Sequence, residues 1–309
     1  MTGHTPVLLD EVLAGLAIKA DGLYCDATFG RGGHTAAILA ALGPEGRVVA
    51  LDRDPDAIRA GQARFAGEPR LTLVKGSFDR LEERVRAAGL EGLLDGVLMD
   101  LGVSSPQLDV AGRGFSFMQD GPLDMRMDYE SGQSAADWLA RAGEREIAAV
   151  LRTLGEERYA NRIARAIVAA RTERPIATTG ELAAIVSAAV PTREPGKHPA
   201  TRSFQAIRMH VNGELEALEA ALPRAVRMLA PGGRLCVISF HSLEDRAVKR
   251  YVQREAQGDP VYAGLPDVPP HARPRLRRVG APVHAGEAEV VANPRARSAV
   301  LRVAERLAA

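Results

Sequence analysis

The sequence predicts an α/β fold, a doubly wound parallel sheet carrying an inserted, mainly helical second domain. Three observations predict it. Apolar runs of strand length alternate with helical patterns through the first hundred residues, as in sheets covered by helices on both faces. Glycines cluster where the first run gives way to a helix, in "DATFGRGGHT" (26–35). The alternation then stops, and the next core strand, "GRLCVISF" (233–240), follows a stretch running from 103 to 232. A single crossover needs only a few tens of residues, so most of that stretch is an insertion.

Taken in order, "GLYCDATFG" (22–30) reads as a buried strand, "HTAAILAAL" (34–42) as a helix closed by Gly43-Pro44, and "RVVALDRD" (47–54) as a second strand. A helix starts at Pro55, "LTLVKGSF" (71–78) is a strand, 79–89 a helix, and "LDGVLMDLG" (94–102) a strand. The insertion opens on a Gly-rich loop, "AGRGFSFMQDGPLDMRMD" (111–128). Helical patterns follow over 134–154, 157–171 and 179–190, then a Pro/Gly segment (191–199) and a helix over 202–211. An amphipathic helix over 214–229 returns the chain to the sheet. Two β-like runs, "EAEVVA" (287–292) and "RSAVLRV" (297–303), flank Asn293-Pro294 and predict a terminal hairpin. The expected division is 1–110 with 213–309 for the sheet domain and 111–212 for the helical one.

Composition narrows the function. With 309 residues and 46% hydrophobic content a sizeable core is available. Lys plus Arg (40) nearly balances Asp plus Glu (39), so nucleic-acid binding must come from local patches. One such patch lies between His271 and Arg306, where Arg273, Arg275, Arg277, Arg278, Arg295, Arg297, Arg302 and Arg306 face only Glu287, Glu289 and Glu305. The only cysteines, Cys25 and Cys236, sit inside apolar runs, which removes a CxxC metal site and suits a reducing cytosol. No HxxxH pairing occurs among the seven histidines, and no metal is expected. Asp10 and Glu11 interrupt the N-terminal apolar run, and no 18-residue apolar span exists, so a soluble, cytoplasmic protein without membrane attachment is expected. Neither GxxxxGK[ST] nor GxSxG is present.

The site reading starts at the glycine loop. A dinucleotide fingerprint beginning at Gly30 would need Gly or Ala where Thr35 stands. What remains is Asp26 followed by Gly30, Gly32 and Gly33, letting backbone approach a ligand at a helix N-terminus. An acid followed by G-x-G is also the loop of methyltransferases that use S-adenosylmethionine (SAM). Asp52, ending the second strand, can accept hydrogen bonds from both hydroxyls of an adenosine ribose, which fits NAD and SAM equally. Phe78 can pack on adenine and Asp79 can read its amino group. Asp26, Asp52, Asp79 and Asp100 all fall at strand ends, where ligands of such sheets bind. A thiolate mechanism is disfavoured because both cysteines are mid-strand, leaving direct transfer onto nitrogen or oxygen. Arg158, Arg162 and Arg165 share one helix face and could track a phosphate backbone. "GRGFSF" (112–117) interleaves a base with two aromatics as a stacking clamp for an unpaired base.

Beyond these signals, "HTPVLLDEV" (4–12), "DATFGRGGHT" (26–35), "DLGVSSPQLD" (100–109), "RGFSF" and "GPLDMRMD" (113–128), "ATRSFQAIRMHVNGEL" (200–215), "SFHSLEDR" (239–246) and "NPRARSAVLR" (293–302) together resemble the RsmH family, also called MraW. The resemblance spans essentially the whole chain in order; "GPLDMRMD" and "SFHSLEDR" are its most specific parts. It implies a Rossmann-like SAM-dependent methyltransferase acting on the N4 amine of a cytidine in the decoding region of 16S ribosomal RNA. It further implies SAM as cofactor, held by Gly32, Gly33, His34, Asp52, Phe78, Asp100 and Gln107. The insertion, 111–212, would be the substrate-recognition domain; the arginine face and aromatic loop read above supply Arg113, Phe115, Arg158 and Arg162 as its candidate substrate contacts. The small ribosomal subunit would be the partner, and a homodimer is compatible. Related amino-methyltransferases carry D/N/S-P-P-Y/F after the fourth strand. "DLGV" has no aromatic there, so stacking would come from Phe115, Phe117 or Phe240. Candidates for the amine's proton are Asp100, the Ser104/Ser105 pair and His241. The competing readings are N-methylation of another nucleic acid, a nicotinamide-dependent oxidoreductase, and a non-catalytic RNA-binding assembly factor.

Overall fold

A computed structural model describes residues 6–90, 92–192, 196, 198–262, 264 and 267–308. It divides the chain into two units, Met1–Gly102 with Leu215–Ala309, and Val103–Glu214.

The first unit begins with α1 (Leu9–Leu16), β1 (Leu23–Asp26), α2 (Gly33–Ala41), β2 (Arg47–Asp52), α3 (Pro55–Arg64), β3 (Leu71–Lys75), α4 (Leu81–Ala87) and β4 (Leu94–Asp100). The second unit holds α5 (Ser105–Asp109), α6 (Ala135–Arg141), α7 (Glu144–Gly155), α8 (Ala160–Glu173), α9 (Thr179–Ala189) and α10 (Thr201–Asn212). From α11 (Glu214–Met228) the chain continues into β5 (Leu229–Ser239), α12 (Ser242–Gln257), β6 (Leu276–Arg278), β7 (Val283–His284), α13 (Glu287–Ala292) and β8 (Val300–Arg306).

The sheet runs β3-β2-β1-β4-β5-β8-β6, with β7 also against β8. Pairing is parallel from β3 to β5 and antiparallel at β8. The chain winds outward from β1 through β2 to β3, then restarts at β4 on the other side of β1. That reversal is where open α/β sheets leave a crevice beyond their strand ends. Successive strand residues alternate faces. Tyr24, Val48, Leu98 and Cys236 pack with Val12, Leu16 and Ile38 of α1 and α2. Cys25, Val49, Val97 and Leu235 pack with Leu81, Leu222 and Val248 of α4, α11 and α12. Burial of both faces explains why these strands read as unbroken apolar runs.

The second unit has its own core. Ile147 and Leu151 of α7, Ile163 and Ile167 of α8, Leu182 and Val186 of α9, and Phe204 and Ile207 of α10 surround Trp138 and Leu139 of α6. Leu123 and Met125 of the Gly-rich loop are buried in it. The Asn212 side chain fastens that loop, donating to Met125 O and accepting from Met127 N–H, both at 2.8 Å.

Three expectations change. The pattern over 134–154 is two helices, because Ala142 is extended (ψ 137) and Gly143 caps α7. Phe78 and Asp79 lie in a 3-10 turn (Phe78–Arg80) beyond β3, which ends at Lys75. The terminal hairpin is wrong: "EAEVVA" is α13, and β8 pairs instead with β5, β6 and β7. Six residues are too few to separate the two periods. Gly286 caps the helix, extended Asn293 before Pro294 ends it, and Glu289 accepts the Leu8 N–H at 2.8 Å. Residues 193–195 and 197 of the Pro/Gly segment, and 4–5 of "HTPVLLDEV", lie outside the described residues.

Candidate functional site

Asp26 organises the loop after β1. Its Oδ2 accepts the Thr35 hydroxyl at 2.6 Å and its Oδ1 the Thr28 N–H at 3.1 Å, tying the first turn of α2 back to the strand. Burial pushes its carboxyl up, and Thr35 opposes that shift. Thr28 in turn accepts the Asp100 N–H at 2.6 Å, linking the loop to the end of β4. Gly32 sits at φ 69, and a Cβ there would lie 2.6 Å from the Phe29 ring; one at Gly33 would lie 2.4 Å from Pro6. Only glycine lets the backbone pass here. Thr35, which spoils the dinucleotide pattern, is thus the partner of a buried carboxylate. Thr35→Val is expected to cost about 1–3 kcal/mol by leaving Asp26 without that bond, read as a lowered urea midpoint at unchanged m.

Asp52 ends β2 with Oδ2 accepting the Gly30 N–H at 2.7 Å and Oδ1 the Asp54 N–H at 2.8 Å. Burial, then the charges of Asp54 and Asp26, push its carboxyl up to about 6. The Gly76 N–H donates to Asp52 O, so the turn carrying half-buried Phe78 begins beside Asp52. Asp100, at the end of β4, is likewise pushed up to about 6. Burial is the main cause, reinforced by Asp26 and Glu244 and opposed by His34. His34 is buried, with Nε2 donating to Val7 O at 3.0 Å and Nδ1 3.6 Å from Asp100 Oδ2.

Past β5, Glu244 Oε2 accepts the Phe240 N–H at 2.9 Å, and Glu244 Oε1 lies 2.9 Å from His241 Nε2. That contact is not in line for a hydrogen bond, and both His241 ring nitrogens are buried without a partner. The same holds for Asp79 Oδ1, Asp100 Oδ1 and Ser239 Oγ. Unsatisfied buried polar atoms are rare in folded proteins, yet five of the nine such side-chain atoms among the described residues border the carboxyl ends of β3, β4 and β5. They fit a polar ligand that supplies donors and acceptors. Sequence reading passed over Ser239, Glu244 and Thr28. Glu244 was readable as an acid three residues after His241, positioned to reach back over the start of α12.

Gln107, Arg113, Phe115, Arg158 and Arg162 belong to the second unit. Gln107 is buried, its Oε1 accepting the Ser104 N–H at 2.9 Å in the capping box of α5. Arg113 Nη2 donates to Arg126 O at 3.1 Å and to Met127 O at 2.9 Å, and its guanidinium lies over the Phe115 and Tyr129 rings at 5.8 and 5.2 Å. Phe115 is only 6% exposed, and the Phe117 ring packs on His198 and Phe204. These groups brace the loop in this conformation, so clamping a base requires the loop to rearrange. Arg158 and Arg162 are exposed. Arg158 precedes α8, which starts at Ala160, so the expected three-arginine helix face reduces to Arg162 and Arg165.

Cys25 and Cys236 are buried and unpaired, with burial raising both thiols, that of Cys236 to about 12. Neither is a ready nucleophile. Among the described residues no His, Cys, Asp and Glu group is arranged to hold a metal, and no helix is long and apolar enough to cross a membrane.

A family model described as the MraW methylase family matches residues 1–307. A protein named ribosomal RNA small subunit methyltransferase H from Thioalkalivibrio sulfidiphilus is 59% identical over 307 residues, 99% of this chain and 98% of that one. One of the same name from Thiobacillus denitrificans is 60% identical over 306 residues, 99% and 97% of the two chains. A solved rRNA methylase from Streptococcus thermophilus has a TM-score of 0.45 at 11% identity, covering 100% of this chain and 99% of that chain.

Proposed function

The chain belongs to the MraW methylase family, and from that premise we propose that it transfers a methyl group from SAM to ribosomal RNA of the small subunit. The finer reading is the N4 amine of a cytidine in the decoding region of 16S rRNA. The observation that carries a ligand at this place is the row of buried, unsatisfied polar atoms along the strand ends, Asp100 Oδ1 foremost. The residues fit this cofactor. A cation near Asp26, Asp52 and Asp100 offsets the burial, and the lesser repulsion, that hold the carboxyls of Asp52 and Asp100 up, whereas a pyrophosphate would meet like charges. SAM supplies, when bound, a methyl group already activated on a sulfonium cation.

The protein's task is then positioning. Asp52 would take the ribose hydroxyls, Phe78 the adenine face, and the Gly32, Gly33 and His34 backbone the methionine end, with Asp100 beside it; Gln107 is the further contact that the family resemblance implies. A cytosine amine is a weak nucleophile because its lone pair is delocalised into the ring. An acceptor at Asp100 Oδ1 would localise that pair and take the departing proton, and His241 is the second candidate for that role. The amine must also be aligned at ~3–3.5 Å from the methyl carbon. The unit Val103–Glu214 would recognise RNA, with Arg158 and Arg162 on phosphates and Arg113 and Phe115 at the extruded base, which leaves its stack at a cost of a few kcal/mol. A substrate of this kind places the enzyme in the cytoplasm, and the homodimer compatible with the family resemblance is read by mass in solution.

Radiolabelled SAM with small subunits, protein-free rRNA, tRNA and DNA, followed by nucleoside mass spectrometry, tests the reading. N4-methylcytidine in 16S rRNA supports it; label in tRNA or DNA, or no label despite RNA binding, refutes it. Asp52→Ala is expected to weaken SAM binding by at least about tenfold, since a buried charged hydrogen bond is worth about 1.5–3 kcal/mol. With Asp52 and Asp100 held up to about 6, the cation binds their ionised forms. Affinity should therefore be flat above pH ~7 and fall as pH drops through 6, by up to about tenfold per unit for each proton released. Calorimetry across pH 5–8 checks both; unchanged affinity in the variant removes Asp52 from the site.

A further inference from the structure

The first unit carries a second polar concavity, distinct from the strand ends. A cavity of about 400 Å³ lies between α11 and α12, walled by Leu215 and Leu222 on one side and by Arg246, Arg250, Tyr251 and Arg254 on the other. We propose that it is a docking groove for the phosphate backbone of the RNA substrate.

The arginines recur every four residues and so form one row on α12, roughly 12 Å long at 1.5 Å per residue. A run of backbone phosphates matches that length, and a lone inorganic phosphate does not. Like charges at this spacing repel, and an anion covering the row relieves that repulsion. Arg250 is exposed and pairs with no carboxylate among the described residues. The carboxylates of α12 bind mostly off the row. Asp245 holds Arg302, Glu244 accepts the Phe240 N–H, and Glu255 binds Arg275 as well as Arg254. Across the cavity a single acid, Glu219, faces the row.

Tyr251 is the independent sign of a ligand. Its side chain lines the cavity and is 6% exposed, yet its hydroxyl is buried with no hydrogen-bond partner. A buried hydroxyl in that state is destabilising, and a turn of the ring toward a phosphate in the groove would let it donate. The Arg254 guanidinium lies 5.2 Å over the Tyr251 ring, which holds one end of the row in place.

The groove rests on the reading that the substrate is RNA, and the test separates the two. Methyl transfer to small subunits is measured from 50 to 200 mM salt for the parent, for Arg246→Glu with Arg250→Glu, for Arg250→Gln, and for Arg86→Glu as an exposed charge control on α4. The double variant should raise KM at least about tenfold with kcat within about twofold, and make the salt slope shallower by about 1–2. Its SAM affinity should equal the parent's, which also certifies its fold. Arg250→Gln should show a smaller shift of the same kind, and Arg86→Glu less than about a twofold change. KM and salt slope equal to the parent's, in variants that bind SAM normally, overturn the groove. A loss seen on subunits but absent on protein-free rRNA overturns it in favour of an acidic ribosomal protein surface. A parent that methylates no RNA overturns the substrate reading, and the groove with it.

Discussion

Asp100→Asn is expected to slow methyl transfer by about 10²–10⁴-fold, the usual worth of a positioned proton acceptor, while making the ligand-free protein more stable at neutral pH. The two effects have one cause. Burial and the charges of Asp26 and Glu244 hold the Asp100 carboxyl up to about 6, against about 3.9 in an unfolded chain. Between these values the folded state binds the proton that the unfolded chain has lost. Ionising Asp100 therefore works against folding. That penalty is absent below pH ~4, grows between 4 and 6, and is complete above 6, at roughly 2–3 kcal/mol. Asparagine carries no charge to bury, and its amide could donate toward His34 Nδ1, which lies 3.6 Å from Asp100 Oδ2. Urea midpoints should put the variant above the parent at pH 7.5, with the gap closing at pH 4.5. Single-turnover transfer at saturating SAM reads the catalytic loss. A variant that is less stable at pH 7.5, or transfers at the parental rate, excludes Asp100 from this role.

Such a trade of stability for function has a sequence-level counterpart. The sheet was legible because strands buried on both faces leave unbroken apolar runs, and Asp26, Asp52 and Asp100 were found because each ends such a run. What determines their protonation was not legible. The partners that act on Asp100, namely His34, Asp26 and Glu244, come from three separate segments that only the β1/β4/β5 order joins. Thr35 was read as a broken fingerprint because its role depends on Asp26, nine residues away across a turn. Helix α13 was misread because its stabilising contact, Glu289 to Leu8, joins residues 281 apart in sequence. α12 escaped notice because its charged residues dilute the helical pattern, although its buried positions Val248, Tyr251, Val252 and Glu255 keep to one face.

Replacing 103–214 by a short Gly/Ser linker is expected to leave SAM affinity within a few-fold of the parent and to abolish rRNA methylation, a drop of more than about 10³-fold if the unit supplies the substrate's alignment. Each unit carries its own apolar core. Every buried residue of the two clusters flanking the sheet, from Val7 to Leu101 and from Leu218 to Ala304, lies outside 103–214. The helical unit has its own cluster, from Leu123 to Ile207. Each unit thus keeps the apolar surface that drives its folding. The proposed ribose and adenine contacts Asp52 and Phe78 remain, as do Asp100 and His241, and only Gln107 among the proposed cofactor contacts is lost. The excised segment reports on itself, because the single tryptophan of the chain, Trp138, is buried there with its Nε1–H donated to Glu146 at 2.8 Å. Expressed alone, 103–214 should unfold cooperatively by tryptophan fluorescence, and the linked remainder should bind SAM in calorimetry. Continued rRNA methylation by the remainder would reassign substrate recognition to the sheet unit, where the arginine row of α12 would have to carry it alone. Loss of SAM binding in a remainder that still folds would instead show that SAM affinity needs the segment 103–214.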